Sequence, residues 1–137
     1  DGMPLISYYD EDDGALKVAH CNDPECFFSP VDIRILDSQA APGMGKFTSI
    51  AIGADGLPVI SYHDANSWDL KVAHCSDAQC LTPPVLTVVD WNGNQGAYSS
   101  IKIGADGMPV IAYLDAYNTN LKFVHCANTF CTPYVRR

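Results

Sequence analysis

Three segments of this chain are variants of one another, and this internal repetition constrains the fold more than any other feature. They begin at residues 1, 55 and 106 and read DGMPLISYYDEDDGALKVAHCNDPEC, DGLPVISYHDANSWDLKVAHCSDAQC and DGMPVIAYLDAYNTNLKFVHCANTFC. A period of about 50 residues is typical of arrays in which each unit buries its apolar face against the next. The chain is therefore predicted to be a tandem array of three like units.

Each repeat is predicted to contain four short strands, taken here from the second copy. The first ends before Asp55-Gly56, which is a strong hairpin-turn signal. The second is apolar enough to be covered on both faces. The four strands are expected at 49–54, 58–64, 70–75 and 85–90, and the crossing into the third copy at 91–97. Sustained helical periodicity does not occur, so the predicted fold class is all-β.

Tandem four-stranded antiparallel units of this length are typical of propeller blades. Because its three repeated segments are predicted to be units of this kind, the chain resembles the blade repeats of bacterial secreted β-propellers, and more loosely the sialidase-like superfamily. The resemblance is architectural and extends over the whole chain, and it implies blade-like repeats in a β-propeller or a propeller-like array. The Ser-x-Asp-x-Gly-x-Thr-Trp signature of sialidase repeats does not occur, so the resemblance does not extend to glycosidase activity.

The predicted repeat boundaries leave the two outer repeats incomplete. Repeat 1 covers 1–48 and lacks its first strand, repeat 2 covers 49–99, and repeat 3 covers 100–137 with a truncated fourth strand. In the first two copies the fourth strand finishes with an aspartate, Asp37 or Asp90. Open edges of this kind expose main-chain groups that pair readily with other strands. They are expected to be covered by further repeats of a longer chain, by a second subunit or by head-to-tail neighbours.

Composition excludes several classes of partner. The 137-residue chain is 47% hydrophobic, which is enough to fill a core. Its net charge of −8 argues against nucleic acid, because binding phosphates needs a basic face. Its apolar runs fall short of the roughly 20 residues of a membrane helix, so membrane insertion is not expected.

Six cysteines occupy equivalent positions, one pair per repeat with four residues between: Cys21 and Cys26, Cys75 and Cys80, Cys126 and Cys131. One pair per unit predicts three local disulfides and an oxidising compartment, so the protein is expected to be secreted, extracellular or on the cell surface. Metal binding is the alternative, since a histidine precedes each pair. Adjacent strand residues point to opposite faces, however, so a histidine and its cysteine would converge only beyond the strand end.

A Tyr-x-Asp motif ends the second strand of each repeat, as Tyr8 and Asp10, Tyr62 and Asp64, Tyr113 and Asp115. One hypothesis is a repeated glycan or peptide site, with a ring for stacking and a carboxylate for hydroxyls or Ca²⁺. No other cofactor is expected. The simpler interpretation is that the aspartate caps the next turn while the tyrosine packs between sheets. Trp68 and Tyr117 lie at predicted turn tips and are candidates for ligand binding or for contact with a neighbouring subunit.

Two other residue types recur at fixed positions. His20, His74 and His125 share a strand face with apolar neighbours, which predicts hydrogen-bonded core histidines. A general base would need a carboxylate partner and an open cleft, and a role repeated three times suits architecture better than an active site. Lys17, Lys71 and Lys122 point away from that apolar face and are predicted to mark the solvent side or an edge.

The sequence therefore predicts a non-catalytic extracellular structural or interaction protein. Its disulfide-stapled repeats are expected to assemble with other copies of the chain through head-to-tail contacts, which close into a ring or continue as a filament depending on the rotation between copies. The alternative is a lectin-like propeller that binds glycans or peptides at repeated sites and gains avidity from its copies. A glycoside hydrolase that uses the repeated histidines and aspartates is a third hypothesis.

Overall fold

A computed structural model describes residues 2–27, 31–39 and 43–132. These residues form ten strands and no helix, so the predicted all-β class is confirmed. The predicted fourth strand of repeat 3 falls mainly on 133–137, outside the described residues. The strands are β1 (Leu5–Asp10), β2 (Ala15–His20), β3 (Asp32–Asp37), β4 (Met44–Ile52), β5 (Pro58–Asp64), β6 (Asp69–His74), β7 (Val85–Asp90), β8 (Ala97–Ile103), β9 (Pro109–Asp115) and β10 (Asn120–His125).

The strands form three antiparallel sheets, each built from consecutive strands. The first sheet has the order β1-β2-β3, the second β4-β5-β6-β7 and the third β8-β9-β10. The second sheet therefore contains the complete four-stranded unit expected from the repeat. Among the described residues, the first sheet has no strand equivalent to β4. In that part of the chain there is likewise no helix long and apolar enough to cross a membrane.

Turn chemistry explains the hairpins that join β4 to β5 and β5 to β6. In the second sheet, the amide of Gly53 donates to the Leu57 carbonyl at 2.8 Å, and Gly56 takes the positive φ of 79° that this turn requires. The next turn is capped by Asp64, whose Oδ1 accepts the amides of Asn66 at 2.9 Å and of Ser67 at 3.2 Å. The hairpin predictions for these segments are confirmed.

The first strand of a repeat begins earlier than the alternation of apolar residues predicts. β4 begins at Met44 instead of residue 49, and β4 and β8 each extend across a predicted repeat boundary. Both strands contain register shifts near their starts, where Phe47 and Tyr98 have φ of 54° and 53°. A bulge inserts an extra residue and breaks the period-2 pattern, so only the regular part of each strand was visible in the sequence.

The sheets pack face to face in chain order. The front face of a sheet is defined here as the one bearing Leu16, Leu70 or Leu121, and the back face as the one bearing Tyr8, Tyr62 or Tyr113. The front of each sheet packs on the back of the next. The first junction buries Leu16, Val18, Leu36, Ile60, Tyr62, Ala73, Cys75 and Cys80, and the second buries Val59, Leu70, Val72, Ile101, Ile111, Tyr113, Cys126 and Cys131.

Close backbone approach between sheets depends on two equivalent glycines. A Cβ atom on Gly45 would lie 2.5 Å from the Cα of Leu16, and one on Gly96 would lie 2.8 Å from the Cα of Leu70. Both glycines also have positive φ, 94° and 91°. Only glycine fits such a position without displacing the neighbouring sheet. β4 thereby contacts β1, β2 and β8, while β8 also contacts β5.

Candidate functional site: the junctions between sheets

A buried charged cluster joins the first sheet to the second. The hydroxyl of Tyr62 donates to Asp37 Oδ2 at 2.6 Å, and the Lys71 ammonium donates to the same oxygen at 2.8 Å. Lys71 Nζ also lies 3.4 Å from Asp64 Oδ2. Tyr62 and Lys71 are directly opposite on β5 and β6, whereas Asp37 ends the outer strand of the preceding sheet. The cluster therefore fixes one sheet on the next.

The second junction repeats this arrangement. The Tyr113 hydroxyl and the Lys122 ammonium both donate to Asp90 Oδ2, each at 2.7 Å. Lys122 Nζ also lies 3.9 Å from Asp115 Oδ2 and 3.3 Å from Gln95 Oε1. An aspartate that ends the outer strand of one sheet is thus bound by a Tyr–Lys pair of the next sheet. This role of Asp37 and Asp90 was not predicted, although their shared position at the end of the fourth strand was visible.

The first sheet carries the same Tyr–Lys pair, in Tyr8 and Lys17. Here the Lys17 ammonium binds Asp10 Oδ2 at 2.9 Å and also a carboxylate oxygen of Asp13. Asp13 lies in the hairpin turn of the first repeat, where the other two repeats have Ser67 and Asn118. These hydrogen bonds with the two carboxylates raise the pKa of Lys17. In the first sheet, therefore, the hairpin itself supplies counter-ions for the lysine.

In the two complete clusters, the pKa values of Asp64 and Asp90 are lowered. Burial opposes ionisation of Asp64, but the Asn66 amide, the Ser67 hydroxyl and amide, and the Lys71 charge together lower its pKa. Burial likewise opposes ionisation of Asp90, and hydrogen bonds from Lys122 and Tyr113 outweigh it and lower the pKa. Burial and the neighbouring Asp37 charge raise the pKa of Tyr62, so its hydroxyl stays protonated and donates.

The prediction that the repeated lysines mark the solvent side is wrong for Lys17 and Lys71, which are only 9% and 8% exposed. Lys71 is buried together with Tyr62 and Asp64. Strand alternation correctly separated the lysine face from the leucine face, but both faces of the second sheet are covered by neighbouring sheets. Alternation shows which residues share a face and does not show which faces meet solvent.

The Tyr-x-Asp candidates fall into two groups. Tyr62, Asp64, Tyr113 and Asp115 are buried and contact the junction clusters, so a ligand in solvent does not reach them in this arrangement. Tyr8 and Asp10 are half-buried on the back of the first sheet. All three aspartates accept backbone amides of the following turn, as the simpler interpretation predicted. Trp68 and Tyr117 are exposed at turn tips.

His74 and His125 each bind the aspartate of the Asp-Gly turn in their own repeat. His74 Nε2 lies 2.8 Å from Asp55 Oδ2, and the imidazole packs on Phe130 with ring centroids 4.5 Å apart. His74 is thus a hydrogen-bonded core histidine, as predicted. His125 Nε2 lies at the same 2.8 Å from Asp106 Oδ2, but on an exposed surface. In the second sheet the His74 side chain is only 3% exposed, whereas the Asp55 side chain is 32% exposed.

All three predicted disulfides are present, linking Cys21 to Cys26, Cys75 to Cys80 and Cys126 to Cys131. The sulfurs are bonded to each other and are not metal ligands. Across residues 2–27, 31–39 and 43–132, no three or more histidine, cysteine, aspartate and glutamate side chains are grouped to hold a metal ion. Three disulfides are compatible with an extracellular location.

The front face of the third sheet is an exposed counterpart of a buried surface. Leu121 and Phe123 are 81% and 77% exposed, whereas the equivalent Leu70 and Val72 of the second sheet are 0% exposed under the third sheet. Phe123 and Val110 line an open groove of about 480 Å³ on this face, together with Gly104, Ala105, Asp106 and His125. This surface has the chemistry of a junction but lies open to solvent.

The back face of the first sheet is the complementary surface. Ile6 is 48% exposed there, whereas its equivalents Ile60 and Ile111 are 0% exposed against a preceding sheet. This face also carries the pair of Tyr8 and Lys17, which lie directly opposite each other on β1 and β2. The described residues therefore present one open front face and one open back face, and the two internal junctions show how such faces fit together.

A third surface lies at the end of the sheets where β5 and β9 finish. Five aromatic side chains are exposed at this aromatic end: Phe47, Trp68, Trp91, Tyr98 and Tyr117. The rings of Phe47 and Tyr98 contact one another at a centroid distance of 4.3 Å. Exposed aromatic side chains of this kind are common in binding surfaces.

Comparison with known protein families gave no match, and comparison with curated proteins gave no similar chain. A functional proposal for this protein therefore rests on its own surfaces. The junction clusters, the open front and back faces and the aromatic end are the features that carry it.

Proposed function

We propose that this chain is a non-catalytic structural and interaction protein of the extracellular space. Its repeats pack front to back within the chain and also between copies of the chain. The observation that carries this proposal is the exposure of Leu121 and Phe123, whose equivalents Leu70 and Val72 are buried in the second junction. An apolar face of this kind on a water-soluble sheet is typical of a protein interaction surface.

The proposed contact is heterologous, because the front of the third sheet differs from the back of the first. Repeated use of such a contact closes into a ring or continues as a filament, depending on the rotation between copies. The contacts of β4 with β1 and β8 support a radial arrangement in which each sheet is a blade of a propeller or propeller-like array. The disulfides support secretion, since they persist in oxidising compartments.

Sedimentation velocity over a range of concentrations tests this proposal. Phe123→Glu places a charge on the open front face, and we expect it to reduce self-association of the non-reduced protein by at least about tenfold. Tyr117→Glu is the matched control, because Tyr117 is 79% exposed and Phe123 77% exposed, but Tyr117 lies at the aromatic end. The control variant is expected to associate as the wild type does.

A wild-type chain that stays monomeric at all accessible concentrations would overturn the proposal. Equal loss of association in both variants would also contradict it, because the effect would then come from surface charge and not from the front face. Circular dichroism of both variants checks that the sheets remain folded.

The aromatic end supports a second candidate function, a lectin-like module for glycans. Trp68, Trp91 and Tyr117 are exposed at this end, and aromatic rings stack on the apolar faces of sugars. A glycan array followed by titration tests this function. Trp68→Ala is expected to abolish binding of any glycan that scores, whereas Phe123→Ala, an exposed aromatic outside this end, leaves it unchanged. An array with no saturable binding removes the lectin candidate.

A further inference from the structure

We infer that the open edge of β1 is a binding site for an extended peptide segment of the β4 type, which adds to the first sheet as a fourth strand. This inference deepens the proposed interaction role, on which it rests, by naming the chemistry of a partner at this edge. The ligand is a strand with a serine followed by two isoleucines at alternate positions.

The hydrogen-bonding edge of β1 is the first observation. The Cys21 amide donates to the Pro4 carbonyl at 3.0 Å, which fixes the alternation of the β1–β2 ladder. The main-chain groups of Leu5, Ser7 and Tyr9 therefore point away from β2. Among the described residues, no strand pairs with that side of β1. Such an edge is a template for strand addition.

The other two sheets show what occupies this edge. In the second sheet Ser49, Ile50 and Ala51 of β4 lie opposite Ser61, Ile60 and Val59 of β5. In the third sheet Ser100, Ile101 and Lys102 of β8 lie opposite Ala112, Ile111 and Val110 of β9. Both first strands share the pattern Ser-Ile-x-Ile-Gly. The edge of β1 presents the same pairing surface without its strand.

An apolar groove beside this edge is the second observation. The groove has a volume of about 380 Å³ and is lined by Met3 and Leu5 on one side and Ile50 and Ile52 of β4 on the other, with Gly2, Ala51, Gly56 and Ala78. Ile6 and Ile52 are 48% and 56% exposed. A strand paired with β1 would place one side-chain row in this groove and the other beside Ile6. Burial of both rows is the expected source of affinity.

The environment of β4 favours a small residue between the two isoleucines. Ala51 packs against the cluster that contains Ile101, on the side where β8 covers β4. A ligand strand on β1 would be covered by β4 in the same way, because Ile50 faces the first sheet. The β4 sequence, with alanine at this position, therefore fits the groove better than the β8 sequence with Lys102.

The probe is a capped synthetic peptide of sequence KFTSIAIGA, which corresponds to residues 46–54, added to the ¹⁵N-labelled, non-reduced chain. We expect saturable NMR shifts at the amides of Leu5, Ser7 and Tyr9, and slower hydrogen exchange there, because these amides become paired. Two N-methylated peptides test the geometry. The Gly53 amide donates to the Leu57 carbonyl at 2.8 Å, so the Ala51 amide points to the partner strand and the Ile50 amide points away.

N-methylation of the Ala51 position is expected to weaken binding by about tenfold or more, and N-methylation of the Ile50 position to leave it nearly unchanged. Equal effects of the two methyl groups, or no shift at the three β1 amides, would overturn the inference. If the chain self-associates but does not bind the peptide, the proposed front-to-back assembly is retained and the strand site is rejected. If the chain binds the peptide but stays monomeric, the strand site is retained and the proposed front-to-back assembly is rejected.

Discussion

At the scale of single residues, the junction clusters place charges where burial makes them costly. An unpaired buried charge is strongly unfavourable, so each cluster depends on complete pairing. Lys71 pairs with Asp37 and Asp64 together, while the Tyr62 hydroxyl donates to the same Asp37 oxygen as Lys71. The equivalent Lys122 is more exposed, with 36% of its side chain accessible. The two junctions therefore use the same contacts of aspartate with tyrosine and lysine, but the lysine of the second junction is more exposed to solvent.

Lys71→Met is expected to lower the free energy of unfolding by about 3–5 kcal/mol, because it leaves two buried carboxylates without their cation. Urea denaturation of the non-reduced protein measures this change. Lys102→Met is the control, since Lys102 is an exposed lysine on β8, and its effect should stay within about 0.5 kcal/mol. A Lys71→Met variant as stable as its control would show that the cluster contributes nothing to the junction.

Asp77 caps the disulfide turn of the second repeat and gives the stability a defined pH dependence. Partial burial opposes its ionisation, but hydrogen bonds from the Thr82 hydroxyl and from the amides of Leu81, Thr82 and Gln79 hold its pKa at about 2. The unfolded chain has the ordinary aspartate pKa of about 3.9 and so binds protons first as the solution becomes acidic. The capping contribution is complete above about pH 4 and is lost as the pH falls towards about 2.

Asp77→Asn is expected to make the loss of stability between about pH 4 and pH 2 shallower than in the wild type. The third repeat already has Asn128 at this position, where its Oδ1 accepts the amides of Phe130 and Thr132. Asparagine therefore keeps the turn and removes the titration. Urea denaturation at a series of pH values measures both curves, and parallel curves would contradict the assignment.

At the scale of elements, strand positions followed from the sequence wherever pairing is regular. β5, whose pairing with β6 is regular, begins and ends at the predicted residues, because it is an apolar run that follows the Asp55-Gly56 turn. The starts of β4 and β8 did not follow, because their bulges abolish alternation. Gly45 and Gly96 lie inside these irregular segments, and only the packed sheets reveal that each glycine touches a neighbouring backbone.

Gly45→Ala separates this close approach from simple backbone strain. Its new Cβ would lie 2.5 Å from the Leu16 Cα, whereas a Cβ on Gly56 has nothing within 4 Å, although both glycines have positive φ. Gly56→Ala should cost about 1–2 kcal/mol from its left-handed backbone alone. Gly45→Ala should cost at least about 2 kcal/mol more, because the first and second sheets must move apart. Thermal denaturation compares them, and equal costs would mean that the contact relaxes freely.

The candidate site could be predicted only in part, because some of its contacts join different sheets. Repetition identified the tyrosines, aspartates, lysines and cysteines that matter, and turn chemistry identified Asp64 and Asp115 as caps. The pairing of Lys71 with Asp37 joins residues far apart in sequence on different sheets. Their contact depends on which faces pack together, and the repeat pattern does not specify the order or direction of packing.

At the scale of the whole molecule, the junctions give the array a direction. Each internal junction uses a front face and a back face, and the described residues leave one of each exposed. The open front face carries Leu121 and Phe123, and the open back face carries Ile6 with the pair of Tyr8 and Lys17. Direct contact between these two faces in different copies is the central claim of the proposed function.

Site-directed crosslinking tests that contact. Across the second junction the rings of His74 and Phe130 are 4.5 Å apart, and His125 and Glu25 occupy the equivalent positions on the open faces. A mixture of His125→Cys and Glu25→Cys copies, treated with a short bismaleimide, should give a crosslinked pair that neither variant forms alone. A mixture that crosslinks no more than the separate variants, or Glu25→Cys copies that crosslink to themselves, would contradict front-to-back assembly.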